Sequence, residues 1–235
     1  MCTMTWWRDE NGYEVFFNRD ELKTRCRALP PALRVADNGT RFLAPADPDA
    51  GGTWMLVNES GLTVCLLNRW HETAARNTTK RSRGRLVLDF AGARHAVEVI
   101  KKLRNTDCAS YKAFTLVAID RHDLLVEAWD GKTMSSEIPQ APLTSSSYRY
   151  QEVRQSRCER YRELEIIHPD TLRDYQSGKD PPTAYTVRMN RPDAQTWSRS
   201  HVVVGPSQAT WRYLEEMPDL AGDSIEHHSK LDIRR

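Results

Sequence analysis

The sequence predicts an α+β protein in which two antiparallel sheets stack face to face with helices outside them. Three observations carry that expectation. Apolar runs pair repeatedly across polar turns, two segments show helical spacing, and 235 residues suffice for a domain with a substantial core. A single domain over 1–235 is expected, ending in a polar tail from about residue 219.

Thr3 to Arg8 reads as a strand, Asp9–Gly12 as a polar turn and Tyr13 to Asn18 as the returning strand. That hairpin brings Asn18-Arg19-Asp20-Glu21 back beside the N-terminus. Leu22 to Pro48 is rich in Pro, Arg and Asp and reads as an extended loop, a common place for a substrate rim. Arg25 and Arg27 within it are either contacts for an anionic ligand or ordinary surface charges. Gly51-Gly52 leads into a strand at Thr53–Val57, a turn at Asn58–Gly61 and an apolar strand at Leu62–Leu67, which delivers Asn68-Arg69-Trp70. Ser82 precedes a helix start at Arg83–Phe90. Ala96, Val97, Ile100 and Leu103 then give Ala93 to Arg104 an amphipathic face.

Tyr111–Ile119 and Leu124–Trp129 bracket Asp120–Asp123 as a third hairpin. Residues 132–147 read as loop. Their serine cluster, Ser145-Ser146-Ser147, is a natural N-cap for a charged helix from Tyr148 to Ile167. After Pro181-Pro182, Tyr185–Met189 and Thr196–Val204 form a fourth hairpin around Asn190–Ala194. Trp211–Leu214 adds a short edge strand or an extended segment.

Composition narrows the function. Lys and Arg total 34 against 32 Asp and Glu, a net charge of +2 that implies no nucleic-acid partner. The basic stretch Arg76–Arg85 is either a phosphate contact or a solvated connection, and no aromatic platform interleaves it. Five widely spaced cysteines without CxxC suggest neither a disulfide framework nor zinc. The opening residues lack a signal core, and no run approaches about 18 apolar residues, so a cytoplasmic protein without a transmembrane segment is expected. No Walker loop, GxGxxG, HExxH or GxSxG occurs, and His227-His228 has no patterned third ligand, so no metal is predicted.

The chemistry concentrates at the N-terminus. Aminopeptidase removal of Met1 ahead of a small residue would leave Cys2 with a thiol and a free α-amine. Their reference pKa values of about 8.5 and 8 let the amine act as a base for the thiol near neutrality. Arg19 favours the thiolate, and Asp20 supplies an acceptor for the terminal ammonium. Both are expected near Cys2 in a partly accessible pocket. If the first two hairpins are adjacent in one sheet, Asn68 either donates to an oxyanion at Cys2 or caps the strand exit.

The terminal Met-Cys, NRDE at 18–21, GGTW at 51–54, GLTVCLLNR at 61–69 and SRGRLVLDF at 82–90 resemble the NRDE family. The match runs in order to TVRMNRPDAQTWSRSHVVV at 186–204. That family in turn resembles N-terminal-nucleophile hydrolases of the bile-salt hydrolase and penicillin V acylase type. The resemblance implies a four-layer αββα sandwich and a catalytic set of Cys2, Arg19, Asp20 and Asn68. Where those hydrolases carry an asparagine before a helix, this chain has TSSS, with Ser145 or Ser146 as the nearest counterpart. The implied activity is hydrolysis of a non-peptide amide (C–N) bond in a small substrate. The alternative is a noncatalytic binding or trafficking protein related to Golgi organisation and lipid or haem homeostasis. Cys2, His71 and His95 are axial-ligand types, but none lies in a haem attachment motif, so no cofactor is assigned.

Overall fold

The computed structural model describes residues 2–69, 81–217 and 224–234. The strands are β1 (Cys2–Arg8), β2 (Tyr13–Leu22), β3 (Leu29–Val35), β4 (Arg41–Ala46), β5 (Met55–Asn58), β6 (Thr63–Asn68), β7 (Phe114–Ile119), β8 (Leu124–Trp129), β9 (Met134–Glu137), β10 (Leu143–Ser145), β11 (Ala194–Val204), β12 (Gln208–Glu216) and β13 (Ser224–Asp232). The helices are α1 (Arg83–Leu88), α2 (Ala96–Arg104), α3 (Tyr150–Arg162) and α4 (Pro169–Ser177). Strands pair antiparallel in a six-stranded sheet, β10-β1-β2-β11-β12-β13, and a seven-stranded sheet, β3-β4-β5-β6-β7-β8-β9. The chain divides into two compact units.

The first unit comprises Met1–Arg25, Gln140–Val204 and Thr210–His228. Its β1–β2 hairpin closes on an Asp9 turn, in which the carboxylate accepts from the Asn11 N–H at 2.8 Å and the Gly12 N–H at 3.0 Å. β2 runs on to Leu22, so Asn18-Arg19-Asp20-Glu21 lies inside a strand and not at its exit. The reason is a second partner: β11 pairs along β2 from Ala194 opposite Leu22 to Val204 opposite Tyr13.

α4 is an element the sequence reading omitted, although Pro169 in its first turn and the His168–Thr171 capping box mark its start. It packs on β1, β2 and β11. The serine cluster does not cap α3. Its N-cap is Arg149, in a left-handed conformation at φ 41°, while Ser146 folds a turn by bonding the backbone of Tyr148. Tyr185–Met189 is not a strand; only an isolated Asn190–Gln195 bridge precedes β11. β12 is longer than the expected Trp211–Leu214 segment and lies between two strands, with Trp211 and Tyr213 buried. Ser224–Asp232, expected as part of a polar tail, forms the edge strand β13, in which Leu231 is its buried residue. Polarity suits a strand with one free edge and so disguised it.

The second unit comprises Cys26–Pro139, Gly205–Ala209 and Ser229–Arg235. Strands β3 and β4 occupy the stretch expected to be loop. Pro30 and Pro31 are tolerated because β3 is an edge strand, and the Asp37-Asn38-Gly39 turn returns the chain. Residues 132–147 likewise contain β9 here and β10 in the first unit, each a short edge strand of its own sheet. Helices α1 and α2 pack on β5 to β8 around Leu86, Phe90, Val99, Leu103, Leu66 and Leu116. Full burial of each such side chain is worth about 1.5–3 kcal/mol. The GGTW and SRGR segments meet here: Thr53 N–H donates to the Gly84 carbonyl at 3.0 Å. A Cβ on Gly52 would stand 2.4 Å from the Gly84 carbonyl carbon, so the motif needs glycine for close backbone approach.

Candidate active site

Four residues form a row across the first unit's sheet. Cys2 stands opposite Ser145 on β10 and opposite Arg19 on β2, and Arg19 stands opposite Ser198 on β11. Cross-strand partners share a sheet face, so Ser145, Cys2, Arg19 and Ser198 project together. The Cys2 backbone N–H donates to Ser145 Oγ at 3.0 Å. The Tyr213 phenol extends the row by hydrogen bonding Ser198. A β-bulge at Trp197 sets this arrangement, holding Thr196 opposite Asp20 while Ser198 stays opposite Arg19.

Alternation sends Asp20 to the other face, with Thr3 and Asn18. Its carboxylate is buried. It accepts from Thr196 Oγ1 at 2.7 Å and pairs with Arg157 Nη2 at 3.3 Å. Arg157 rises from α3, is 2 % exposed, and its Nη1 also donates to Thr3 Oγ1 at 2.5 Å and Thr144 Oγ1 at 3.1 Å. One guanidinium thus ties together the strands on either side of Cys2 and the carboxylate behind it. Sequence reasoning missed Arg157 because α3 is too charged for one arginine to stand out; its only signal was a position four residues after Val153 on the buried stripe. Asn18 on the same face donates to the carbonyls of Gln176 at 2.9 Å and Val187 at 3.1 Å, a structural use.

Cys2 is not in an accessible pocket; it is 6 % exposed. Burial pushes its thiol pKa up. The positive chain terminus and Arg19 oppose that rise, while Asp20 and Glu21 add to it. Arg19 therefore acts in the expected direction and is outweighed. The structure brings Cys2, Arg19 and Ser145 together, with Asp20 close enough for its charge to act on the thiol. Ser146 is not in the row; its hydroxyl bonds the Tyr148 backbone.

Asn68 ends β6, half-buried and opposite Phe114. It belongs to the seven-stranded sheet, so the first two hairpins are not neighbours in one sheet. His95 is the N-cap residue of α2, and His71 lies outside the described residues, as does most of the basic stretch. Of that stretch, Arg83 donates to the Ala113 carbonyl, Arg85 to the Ala50 carbonyl, and Arg81 lies over the Tyr111 ring. Among the described residues, no group of three or more His, Cys, Asp or Glu is placed to hold a metal ion. No helix among them is long and apolar enough to cross a membrane. None of the five cysteines is in a disulfide. A cleft of about 490 Å³ opens beside α3 and α4, with Arg157, Arg160, Tyr175 and Lys179 in its wall; none of the row residues lines it.

Several solved structures resemble the chain. A Caenorhabditis elegans ortholog of N-acylethanolamine-hydrolyzing acid amidase aligns with a TM-score of 0.63 and 13% identity, over 86% of this chain and 92% of that one. Two variants of a conjugated bile acid hydrolase from Clostridium perfringens, one cysteine-to-alanine and one with an arginine replaced by leucine, each align with a TM-score of 0.55. Their identities are 10% and 12%, over 100% of this chain and 97% of theirs. At such identities the likeness is one of fold. The fold is the α+β sandwich of N-terminal-nucleophile hydrolases, with two antiparallel sheets flanked by helices. No curated protein sequence matches. The Transport and Golgi organisation 2 family matches residues 1–163, well over half of the sequence, and the chain belongs to that family.

Proposed function

We propose that the protein is an N-terminal cysteine hydrolase that cleaves a non-peptide amide (C–N) bond in a small substrate. The observation that carries this reading is the Ser145–Cys2–Arg19 row, with Ser145 Oγ 3.0 Å from the Cys2 nitrogen, at the first strand of this fold. Removal of Met1 turns that nitrogen into a free α-amine. The amine takes the thiol proton as sulfur attacks the amide carbonyl carbon, then passes it to the leaving nitrogen as the C–N bond breaks. A thioester remains. The amine next deprotonates a water, which attacks the thioester, releases the acid and restores the thiol.

Ser145 Oγ accepts a hydrogen from the amine and aims its lone pair at the thiol. Arg19 favours the thiolate form as charge develops on sulfur. Asp20, fixed by Arg157 and Thr196, steadies the ammonium that forms in each half-reaction. Ser146 is proposed as a support for the turn that delivers Ser145. The test is intact-mass measurement after incubation with a panel of small amides and esters. Loss of Met1 and an acyl adduct on Cys2 are expected, and Cys2→Ala should lose Met1 but show neither adduct nor turnover. Unchanged hydrolysis by Cys2→Ala would overturn the proposed nucleophile.

A second reading is favoured by the burial of Cys2 and its upward-shifted thiol. Here the scaffold binds a lipid or haem-related ligand without turnover, in a trafficking role related to Golgi organisation. Ligand binding that is undisturbed in Cys2→Ala, with no adduct from any member of the panel, is the result that selects it.

A further inference from the structure

The cleft of about 490 Å³ beside α3 and α4 has no part in the chemistry proposed at Cys2. Its size suits a small ligand, since such sites run about 300–1,000 Å³. Two features of the lining say which kind. The first is Arg157, which is 2 % exposed. Its Nη1 serves Thr3 and Thr144 and its Nη2 serves Asp20, but its Nε is buried with no hydrogen-bond partner among the described residues. A buried donor without an acceptor is costly and rare. Asp20 already neutralises this guanidinium, so Nε lacks a neutral oxygen; a second buried anion would bring its own desolvation penalty. The second feature is the exposed rim, where Arg160 and Lys179 stand against Glu159, Glu163, Asp174 and Asp180. Arg160 takes up Glu163 at 2.7 Å and Lys179 takes up Asp174 at 3.2 Å. Asp180 is held only at 3.8 Å from Arg160, and Glu159 accepts from the neutral Gln155 amide. Two negative charges are thus left in excess.

We propose that this cleft binds a small organic cation that carries a neutral carbonyl or hydroxyl oxygen a few carbons from its ammonium group. The oxygen accepts from Arg157 Nε. The carbon chain lies along Tyr175 and Val187, both buried, and the ammonium meets the rim carboxylates Glu159 and Asp180. Each half of the ligand answers one half of the site. A plain amine leaves the Nε–H unmet, and a plain amide leaves the rim charge uncompensated. A carboxylate in place of the neutral oxygen meets a guanidinium whose charge Asp20 has already balanced.

Calorimetric titrations of the full chain near neutral pH with ε-aminocaproamide, hexylamine, caproamide and ε-aminocaproate separate these contributions. The amino-amide is expected to bind about tenfold tighter than hexylamine, the scale of one hydrogen bond to a charged group. It should bind about fivefold tighter than caproamide, the scale of an exposed ion pair. ε-Aminocaproate should bind no better than hexylamine. In nitrogen–proton spectra the Arg157 Nε resonance should move with the amino-amide and stay in place with hexylamine. Glu163→Gln combined with Asp180→Asn, both at exposed positions, removes the two excess charges and should erase the advantage over caproamide. No binding of the amino-amide, tighter binding of ε-aminocaproate, an unmoved Arg157 resonance, or a cation advantage that survives the double variant overturns the proposal.

Discussion

Arg157 and Asp20 form a buried ion pair, 1% and 0% exposed at their side chains, and removing either one breaks a desolvated charge interaction. Such breakage costs about 3–5 kcal/mol, whereas removing both partners is far milder. Arg157→Leu takes the guanidinium from the Asp20 carboxylate and also forfeits the bonds to Thr3 and Thr144. Asp20→Asn strands the guanidinium instead. Each single variant is therefore expected to lose about 3–5 kcal/mol of unfolding free energy in urea titrations. The double variant should lose less than the sum, with a coupling of about 2–3 kcal/mol. Additivity of the two changes, or single losses below about 1 kcal/mol, would refute the inference that this pair carries a desolvated charge interaction.

Other outcomes follow from the same geometry. Gly84→Ala puts a methyl 2.9 Å from the Thr53 carbonyl oxygen and should cost about 1–3 kcal/mol, read as a lowered Tm; an unchanged Tm counts against the close approach. Burial raises the pKa of Cys2, Cys108, Tyr111, Tyr161, Tyr175 and Tyr213. The folded chain then keeps protons that the unfolded chain releases from about pH 8.5 for thiols and 10 for phenols, so stability should be level below that range and fall above it. Urea titrations between pH 7 and pH 11 check this, and a flat profile would contradict it. With Met1 retained, Cys2 should react with iodoacetamide more slowly than exposed Cys26, and Arg19→Ala should slow it further. Equal rates at all pH values would remove both burial and Arg19 as controls. On the proposed mechanism, Ser145→Ala in the protein without Met1 should leave the melting curve near wild type and lower amide turnover about tenfold or more, measured as kcat.

The fold class and most hairpins were legible in the sequence because interior strands carry near-continuous apolar runs, as in Met55–Val57 and Val64–Leu67. The strands that escaped notice were β3, β4, β9, β10 and β13, all at or next to a sheet edge, where one side needs neither apolar cover nor freedom from proline. At the site, the Cys2–Arg19 pairing followed from hairpin length alone. Asp20's true partners did not, because Arg157 and Thr196 lie 137 and 176 residues away and no local pattern links them to it. The choice between Ser145 and Ser146 depended on where β10 ends, a boundary that the run Thr144-Ser145-Ser146-Ser147 does not mark.

β2 works as a partition with a different trade on each side. Arg19 and Glu21 look toward Cys2, while Asn18 and Asp20 look into the hydrogen-bonded packing of α3 and α4. Substitutions one position apart should therefore register differently: changes at Arg19 and Glu21 first in the labelling of Cys2, changes at Asn18 first in the denaturation midpoint, and changes at Asp20, whose charge also acts on the thiol, in both. The bulge at Trp197 absorbs one extra residue of β11, so deleting that residue would leave Thr196 opposite Asp20 and Ser198 opposite Arg19 in an unbroken ladder.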